Sequence, residues 1–383
     1  MNSRLPIICI MGSTCTGKTK LAIHLEKKFP LEIISVDSAM VYREMDIGTD
    51  KPPKNILDTI KHHLINIRNP NEDFNVADFF HDTNQLIRDI HSRNKVPLLV
   101  GGSLMYFNSL YEGLSTLPKK NTSDRNLIDS LLEVYTPHDL HNCLKKIDLK
   151  TYNKIQSNDK QRIQRALEVY MSSGNPISSL LKNKKSFSES YDILTIKMFS
   201  SDRSVIHEKI LSRMMDMFDQ GLINETKYLL EKYKLTSDSQ SMKIIGYRHV
   251  LDHLRDNSSI DDLKNKCLFA TRQLAKRQIT WLKQFPCNHG IDILDIQIIK
   301  PYVSVSASIN ESLLDKRSLY KLEWWLADSD NQGGVSENSI NQYFNPMNIN
   351  EMNYDDLISL PNLSPIDVKA VLLQKKRGSI NGT

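Results

Sequence analysis

The sequence predicts an α/β fold, a parallel sheet covered by helices on both faces, to which a helical insertion and a C-terminal extension are added. Three observations carry that expectation. Short, continuously apolar runs alternate with amphipathic segments, the first run opens directly into a glycine-rich loop, and after about residue 115 the alternation gives way to helical periodicity alone. Strands buried on both faces read as unbroken apolar runs, which is the mark of a parallel sheet.

Each element follows from its residues. Ile7 to Met11 is apolar throughout and forms the first strand, and Lys18 to Phe29 the helix after the loop. Ile33 to Val36 is a second strand. The segment from Asn75 to Arg93 places Val76, Phe79, Phe80, Thr83, Ile87 and Ile90 on one face, the spacing of a helix packed on a sheet. Val96 to Val100 is the third strand. Residues 115–190 read as helices with charged faces and a basic, serine-containing connector at Lys182 to Ser188. Asp192 to Phe199 returns as a strand, Ser204 to Gln220 as a helix stopped by Gly221, and Asp261 to Phe285 as a helix with acidic residues at its positive end. Ile291 to Ile296 closes the pattern as a last strand. The division expected is a core over 1–114, an insertion over 115–190, completion of the core over 191–300, and an extension over 304–383 rich in Ser, Asn and Asp.

Composition narrows the class. A chain of 383 residues with 40% hydrophobic and 25% charged residues, and only 14 Gly and 14 Pro, is neither fibrous, collagen-like nor wholly disordered. The net charge of +5 is compatible with a polyanionic partner without demanding one. Cys9, Cys15, Cys143, Cys267 and Cys287 are odd in number and unpaired in spacing, which signals no disulfide framework or zinc site and fits the cytoplasm. The apolar run Leu5 to Met11 is too short to span a membrane, so no membrane partner is expected.

The strongest motif is Gly12-Ser13-Thr14-Cys15-Thr16-Gly17-Lys18-Thr19, which matches G-x-x-x-x-G-K-[ST] at every fixed position and lies between a strand and a helix. In such a P-loop the backbone N–H groups, the helix N-terminus and the lysine cradle phosphate, and the final hydroxyl, here Thr19, holds Mg²⁺. A chance glycine turn would lack the strand and helix on either side. A P-loop NTPase-like core binding a diphosphate, or a nucleoside triphosphate such as ATP, follows. A motor or switch would carry an acid at the end of a later strand. Here Val96 to Val100 runs into Gly101-Gly102-Ser103 instead, which leaves a small-molecule or nucleotide kinase, or an RNA-binding protein without catalysis, as alternatives.

The second strand ends in Asp37-Ser38-Ala39-Met40, at the edge where ligands of such sheets bind. Asp37 there serves as a general base, as an indirect Mg²⁺ ligand, or as a helix N-cap. Ser103 meets a ligand or caps the following helix. Cys15 reads as a small filler and not a nucleophile, and His62-His63, whose side chains on a strand point to opposite faces, as structural residues.

Together, the loop, Asp37-Ser38 followed by Val41-Tyr42, and Gly101-Gly102-Ser103 with Tyr106 resemble the tRNA dimethylallyltransferase family. The likeness continues through Asn158 to Tyr170, Gly246-Tyr247-Arg248 and Thr271 to Trp281, and covers approximately residues 5–295. Ser13 and Cys15 stand where the family commonly has Pro and Ala, and Ser103 where it more often has Thr. The resemblance implies a prenyltransferase, acting as a monomer, that transfers a dimethylallyl group from its diphosphate to N6 of the adenosine 3′ of a tRNA anticodon. It makes Asp37 the general base, with Ser103 beside it, and has Arg272 and Lys276 help the loop neutralise the diphosphate. It assigns contacts with the tRNA anticodon stem-loop to Asp37, Ser38, Ala39, Met40, Ser103 and Arg125. It adds Gln161, Arg162, Ile163, Gln164 and Arg165, then Lys243, Ile244, Ile245, Gly246, Tyr247 and Arg248. The last strip is Lys276, Arg277, Gln278, Ile279, Thr280, Trp281, Leu282 and Lys283. Residues 355–378 resemble a helix-hairpin-helix unit, with Asn362 where its hairpin glycine would sit.

Overall fold

The computed structural model describes residues 4–294 except 116, 119–120 and 182–185. The chain divides into two compact units, one formed by 1–107 with 190–383 and the other by 108–189. The extension over 304–383, with its helix-hairpin-helix resemblance, lies outside the described residues, as does the middle of the basic connector.

The first unit contains the sheet. In chain order it runs β1 (Leu5–Gly12), α1 (Lys18–Glu26), β2 (Leu31–Val36), α2 (Lys54–Thr59), β3 (His62–His63), α3 (Val76–Ser92), β4 (Val96–Gly101) and α4 (Leu104–Glu112), in which the division falls. The second unit is helical: α5 (Thr122–Val134), α6 (Pro137–Ile147), α7 (Leu149–Lys154), α8 (Lys160–Ser173), α9 (Ile177–Leu180) and α10 (Phe187–Ser190), whose last residue already belongs to the first unit. The chain returns through β5 (Tyr191–Phe199), α11 (Arg203–Asp219), α12 (Leu222–Tyr233), a short 3₁₀ turn (Gln240–Lys243), α13 (Ile245–Asp256), α14 (Ile260–Leu282) and β6 (His289–Asp292).

All six strands are parallel, in the order β3-β2-β4-β1-β5-β6. β6 starts before the expected Ile291, and the two-residue strand β3 was not visible as an apolar run, since it consists of His62 and His63. His63 finds its partner in Glu32 at 2.8 Å, and His62 Nδ1 turns to the Ile60 carbonyl. Burial pushes the Glu32 carboxyl up, but hydrogen bonds from Arg93 and with His63 outweigh it and bring the group down to about 2.

Local chemistry explains the main elements. β2 and β4 are buried along their whole length, as strands covered on both faces must be. α3 starts at Asn75 through a capping box, in which Asn75 Oδ1 accepts from the amides of Ala77 and Asp78 while Asp78 accepts from the Asn75 amide. Its Phe79, Thr83, Ile87 and Ile90 are buried, the face read from sequence, and Phe79 stacks on Tyr106 with ring centroids 4.4 Å apart. Between sheet and helices lies a core that joins Ile8, Ile10, Ile33, Leu98 and Ile196 to Leu21 and Leu25 of α1 and to Ile206 and Ile210 of α11. The helical unit has a core of its own around Ile128, Leu140, Leu144, Ile163 and Ala166.

Register is what places the site. Met11 of β1 and Val36 of β2 both lie opposite Gly101 of β4. Three strands therefore end in one row, and the loops that leave them meet at the carboxyl edge of the sheet.

Candidate active site

The loop from Gly12 leaves the sheet beside β5, where Gly12 lies opposite Met198, and curls through two left-handed residues, Cys15 at φ +63° and Gly17 at φ +82°, before α1 begins at Lys18. Thr16 is buried and its hydroxyl donates to the Ser13 carbonyl at 2.8 Å, which closes the loop on itself. Lys18 Nζ donates to the same carbonyl at 2.6 Å. Burial pushes the Lys18 ammonium down to about 8, with the Asp37 carboxylate opposing and the Arg213 guanidinium reinforcing the shift. Asp37 and Arg213 therefore both lie within electrostatic reach of Lys18. A cation destabilised by burial gains by meeting an anion, and α1 adds its unsatisfied amides at the same point.

Asp37 follows β2. Its Oδ1 accepts from the amides of Ala39 at 2.7 Å and Met40 at 3.2 Å, while Oδ2 takes no hydrogen bond from the described residues. One oxygen thus fixes the carboxylate and the other remains for a proton. Ser103 is tied to the same turn, since its amide donates to the Val36 carbonyl at 3.2 Å and its hydroxyl accepts from the Ser38 amide at 3.1 Å. No helix follows Asp37, so these bonds close a turn and do not cap a helix, and Ser103 is fixed to the neighbouring Ser38.

α14 supplies a part that spacing could not reveal. Gln278 Oε1 accepts from the Thr14 amide at 2.9 Å, and its Nε2 donates to the Gly102 carbonyl at 2.8 Å. One side chain thereby clasps the phosphate loop to the end of β4. A Cβ at Gly102 would come within 2.6 Å of that Nε2, so a side chain there would displace the Gln278 amide from the clasp. Also on α14, Arg272 Nε is buried without a hydrogen-bond partner, an unsatisfied donor that an anionic ligand would complete. Lys276 is exposed.

Sequence reasoning missed Arg213 and Glu225. Arg213, on α11, pairs with Asp50 at 3.0 Å and is close enough to Lys18 to oppose its charge. The available signal was a cation on the margin of the buried stripe Ile206, Ile210, Met214 and Met217. Glu225, on α12, accepts from the amides of Asp46, Ile47 and Gly48. No local pattern marks such a carboxylate.

The strips read as RNA contacts are divided by burial. In the helical unit Gln161 and Arg162 are exposed, whereas Ile163 and Gln164 are buried. Arg165 does not run free beside Arg162: it pairs with buried Glu168 at 3.0 Å and donates to the Pro118 carbonyl at 2.7 Å. Arg125 is half-buried, 3.5 Å from Gln164 Oε1. In the sheet unit Lys243, Arg248, Lys276, Arg277, Thr280 and Lys283 are exposed, Ile244, Ile245, Ile279 and Trp281 half-buried, and Gly246, Tyr247 and Leu282 buried. The exposed cations suit a phosphate backbone, and the buried members of each strip hold their helices in place.

The residues around the loop suit Mg²⁺ in one specific way. Among the described residues no three His, Cys, Asp or Glu side chains converge as a metal cage. The donors at hand are the Thr19 hydroxyl in the first turn of α1 and the Asp37 carboxylate. Mg²⁺ is characteristically held by one or two protein oxygens, with phosphate and water supplying the rest.

Comparison with known proteins gives a single answer. The IPP transferase family matches over residues 40–285. A tRNA dimethylallyltransferase of Nitrosomonas eutropha is 40% identical over 296 residues, which is 77% of this chain and 93% of that protein. One from Francisella tularensis is 42% identical over 282 residues, 74% of this chain and 92% of that protein. Among solved structures, the tRNA isopentenylpyrophosphate transferase of Bacillus halodurans matches with a TM-score of 0.53 and 33% identity, over 76% of this chain and 90% of that one. A eukaryotic dimethylallyltransferase acting on tRNA matches with a TM-score of 0.63 and 30% identity, over 72% of this chain and 69% of that one.

Proposed function

The chain belongs to the IPP transferase family, and from that premise we propose that it transfers a dimethylallyl group from dimethylallyl diphosphate to N6 of the adenosine 3′ of a tRNA anticodon. The observation that carries the reading is the shared register of β1, β2 and β4, which brings the Asp37 turn to the same edge as the phosphate loop that carries Lys18. An acceptor of protons stands beside an acceptor of phosphate charge, with no covalent nucleophile needed between them. The kinase alternative is not favoured, because the family model and the relatives matched over most of the chain are those of prenyl transfer to tRNA.

The chemistry follows from the residues. The N6 lone pair forms a bond to C1 of the dimethylallyl group as the C1–O bond breaks, and that electron pair leaves on diphosphate. The Asp37 carboxylate takes the N6 proton at its unoccupied Oδ2, a general-base role for an amine that is a poor nucleophile. Charge grows on the departing diphosphate, where Lys18, Arg213, the orphan Nε of Arg272 and the amides at the start of α1 stabilise it. Mg²⁺ bound by Thr19 and the diphosphate would add further positive charge at the leaving oxygen. Ser103 holds the turn after Asp37 and presents its hydroxyl to the target nucleotide. An anticodon loop offers that nucleotide already single-stranded, which lowers the cost of extruding it.

The exposed Gln161 and Arg162 of the helical unit, and Lys243, Arg248, Lys276, Arg277 and Lys283 of the sheet unit, are the surfaces we assign to tRNA. Among the described residues no helix is long and apolar enough to cross a membrane, and all five cysteines are free, in keeping with the cytoplasm as the site of action.

Incubation with dimethylallyl diphosphate, Mg²⁺ and unmodified tRNA tests the proposal. Diphosphate release with equimolar N6-dimethylallyladenosine is the expected result, and Asp37→Ala abolishes it while tRNA affinity stays within about threefold. Turnover near wild type in that variant removes Asp37 from the base role, and ATP-dependent phosphorylation of a small acceptor without prenylation would establish a kinase instead.

A further inference from the structure

The loop of residues 44–51 lies between the Asp37 turn and α2, and no motif explains it, yet α11 and α12 tether it at several points. Glu225 Oε2 accepts from the amides of Asp46 at 3.0 Å and Ile47 at 2.9 Å, and Oε1 from the Gly48 amide at 3.1 Å and the Tyr247 hydroxyl at 2.6 Å. Lys232, two helical turns along α12 on the same face, pairs with Glu44 at 2.6 Å. Tyr247 is fully buried and packs so tightly on the loop that a Cβ on Gly48 would lie 2.5 Å from its ring. Four donors converging on one carboxylate make a strong and directional anchor, since each bond to an ionised acceptor exceeds a neutral one.

The loop ends at Asp50, in a left-handed conformation at φ +54°, and Asp50 holds Arg213 at 3.0 Å. Arg213 in turn lies within electrostatic reach of Lys18 of the phosphate loop, whose ammonium it opposes. α11 and α12, joined through Gly221, therefore grip the same loop at two points, one through Arg213 and one through Glu225. A guanidinium beside a phosphate site works through its direction as much as its charge, because its donors lie in a fixed plane.

We propose that Glu225, buttressed by Tyr247, is a positioning residue for diphosphate binding, which acts by fixing loop 46–50 so that Asp50 aims the Arg213 guanidinium at the phosphate loop. The proposal rests on diphosphate being the ligand of that loop. It assigns Tyr247, read from sequence as a tRNA contact, to the diphosphate half of the reaction.

The test is a double-mutant cycle on the full chain, with inorganic diphosphate as the probe and calorimetry as the readout. Glu225→Gln keeps one accepting oxygen and loses the other, and raises the diphosphate Kd about tenfold. Asp50→Asn raises it to a similar extent. Because both act through one path, the double variant binds no more weakly than the weaker single variant, whereas effects that multiply to about a hundredfold would overturn the proposal. Tyr247→Phe, which removes one of the four donors and keeps the ring in place, raises Kd about threefold in the native background and leaves it unchanged in Asp50→Asn. An unchanged Kd in Glu225→Gln overturns the proposal, as does tighter binding in Asp50→Asn, which would make Asp50 a competitor for Arg213. Prenyl transfer by the wild-type chain is scored separately, so that loss of the proposed activity and loss of this positioning role are told apart.

Discussion

Replacing Gln278 with alanine dissects the clasp on the phosphate loop. The side chain satisfies the Thr14 amide at 2.9 Å and the Gly102 carbonyl at 2.8 Å, and both partners lie in a half-buried setting. Each hydrogen bond contributes about 1 kcal/mol net, and each orphaned partner shielded from water costs about 1 kcal/mol more. The variant therefore loses roughly 2 to 4 kcal/mol. For a folded unit of this size about 2 kcal/mol corresponds to a Tm lower by roughly 4 to 8 °C. The loop also loses the bond that ties Thr14 to α14, so diphosphate binding weakens by several fold. Gln278→Glu separates the two halves of the clasp. It keeps an acceptor for Thr14, but sets a carboxylate against the Gly102 carbonyl and adds negative charge beside the phosphate site, so its diphosphate Kd exceeds that of the alanine variant. Calorimetric unfolding and diphosphate titration measure both quantities. A Gln278→Ala protein with wild-type Tm and wild-type Kd, or a Gln278→Glu protein that binds more tightly, would refute the clasp.

Two further outcomes follow from charges already described. Lys18 is held at about 8 in the free protein, so diphosphate affinity falls as pH rises through 8, and Lys18→Arg, which stays protonated, loses that component of the pH profile. The same shift has a definite sign for folding: the folded chain binds fewer protons than the unfolded chain between about pH 8 and the ordinary lysine value, so the contribution of Lys18 to stability rises across that window and is unfavourable below it. Arg162 is 66% exposed at its side chain and pairs with Asp159, so Arg162→Ala weakens tRNA binding and reduces its salt slope by about one, whereas an unchanged slope removes Arg162 from the phosphate contacts.

The parts of this protein that were legible in the sequence are those whose cause is local. The strand-loop-helix at Gly12 to Thr19, the apolar face of α3, and the turn after β2 are each set by residues within a few positions of one another. The network behind them is not local. Gln278 reaches Thr14 across 264 residues and Glu225 reaches Ile47 across 178, and nothing near either side chain distinguishes it from a solvated polar residue on a helix. His62 and His63 read as strand residues, but their pairing with Ile33 and Ile34 at the edge of the sheet, and the buried contact of His63 with Glu32, are long-range features that no local pattern announces. Arg165, which the resemblance assigns to the tRNA contacts, is drawn towards the buried Glu168, a pairing that only the folded helical unit reveals.

The position of β4 has a consequence for how the protein is made. In the sheet β4 lies between β1 and β2, which do not touch each other, although β1 and β2 are completed well before β4 is synthesised. A nascent chain that has not reached Gly101 therefore holds the phosphate loop and the Asp37 turn on two strands with no partner to join them. Arrival of β4 brings both to one row in a single step, and delivers Gly102 and Ser103 with it. Long-range pairing of this kind is slow to form. Ligand affinity in a growing or refolding chain consequently waits on β4 and then on α11 and α14, which carry Arg213 and Gln278, so diphosphate capture reports completion of the site.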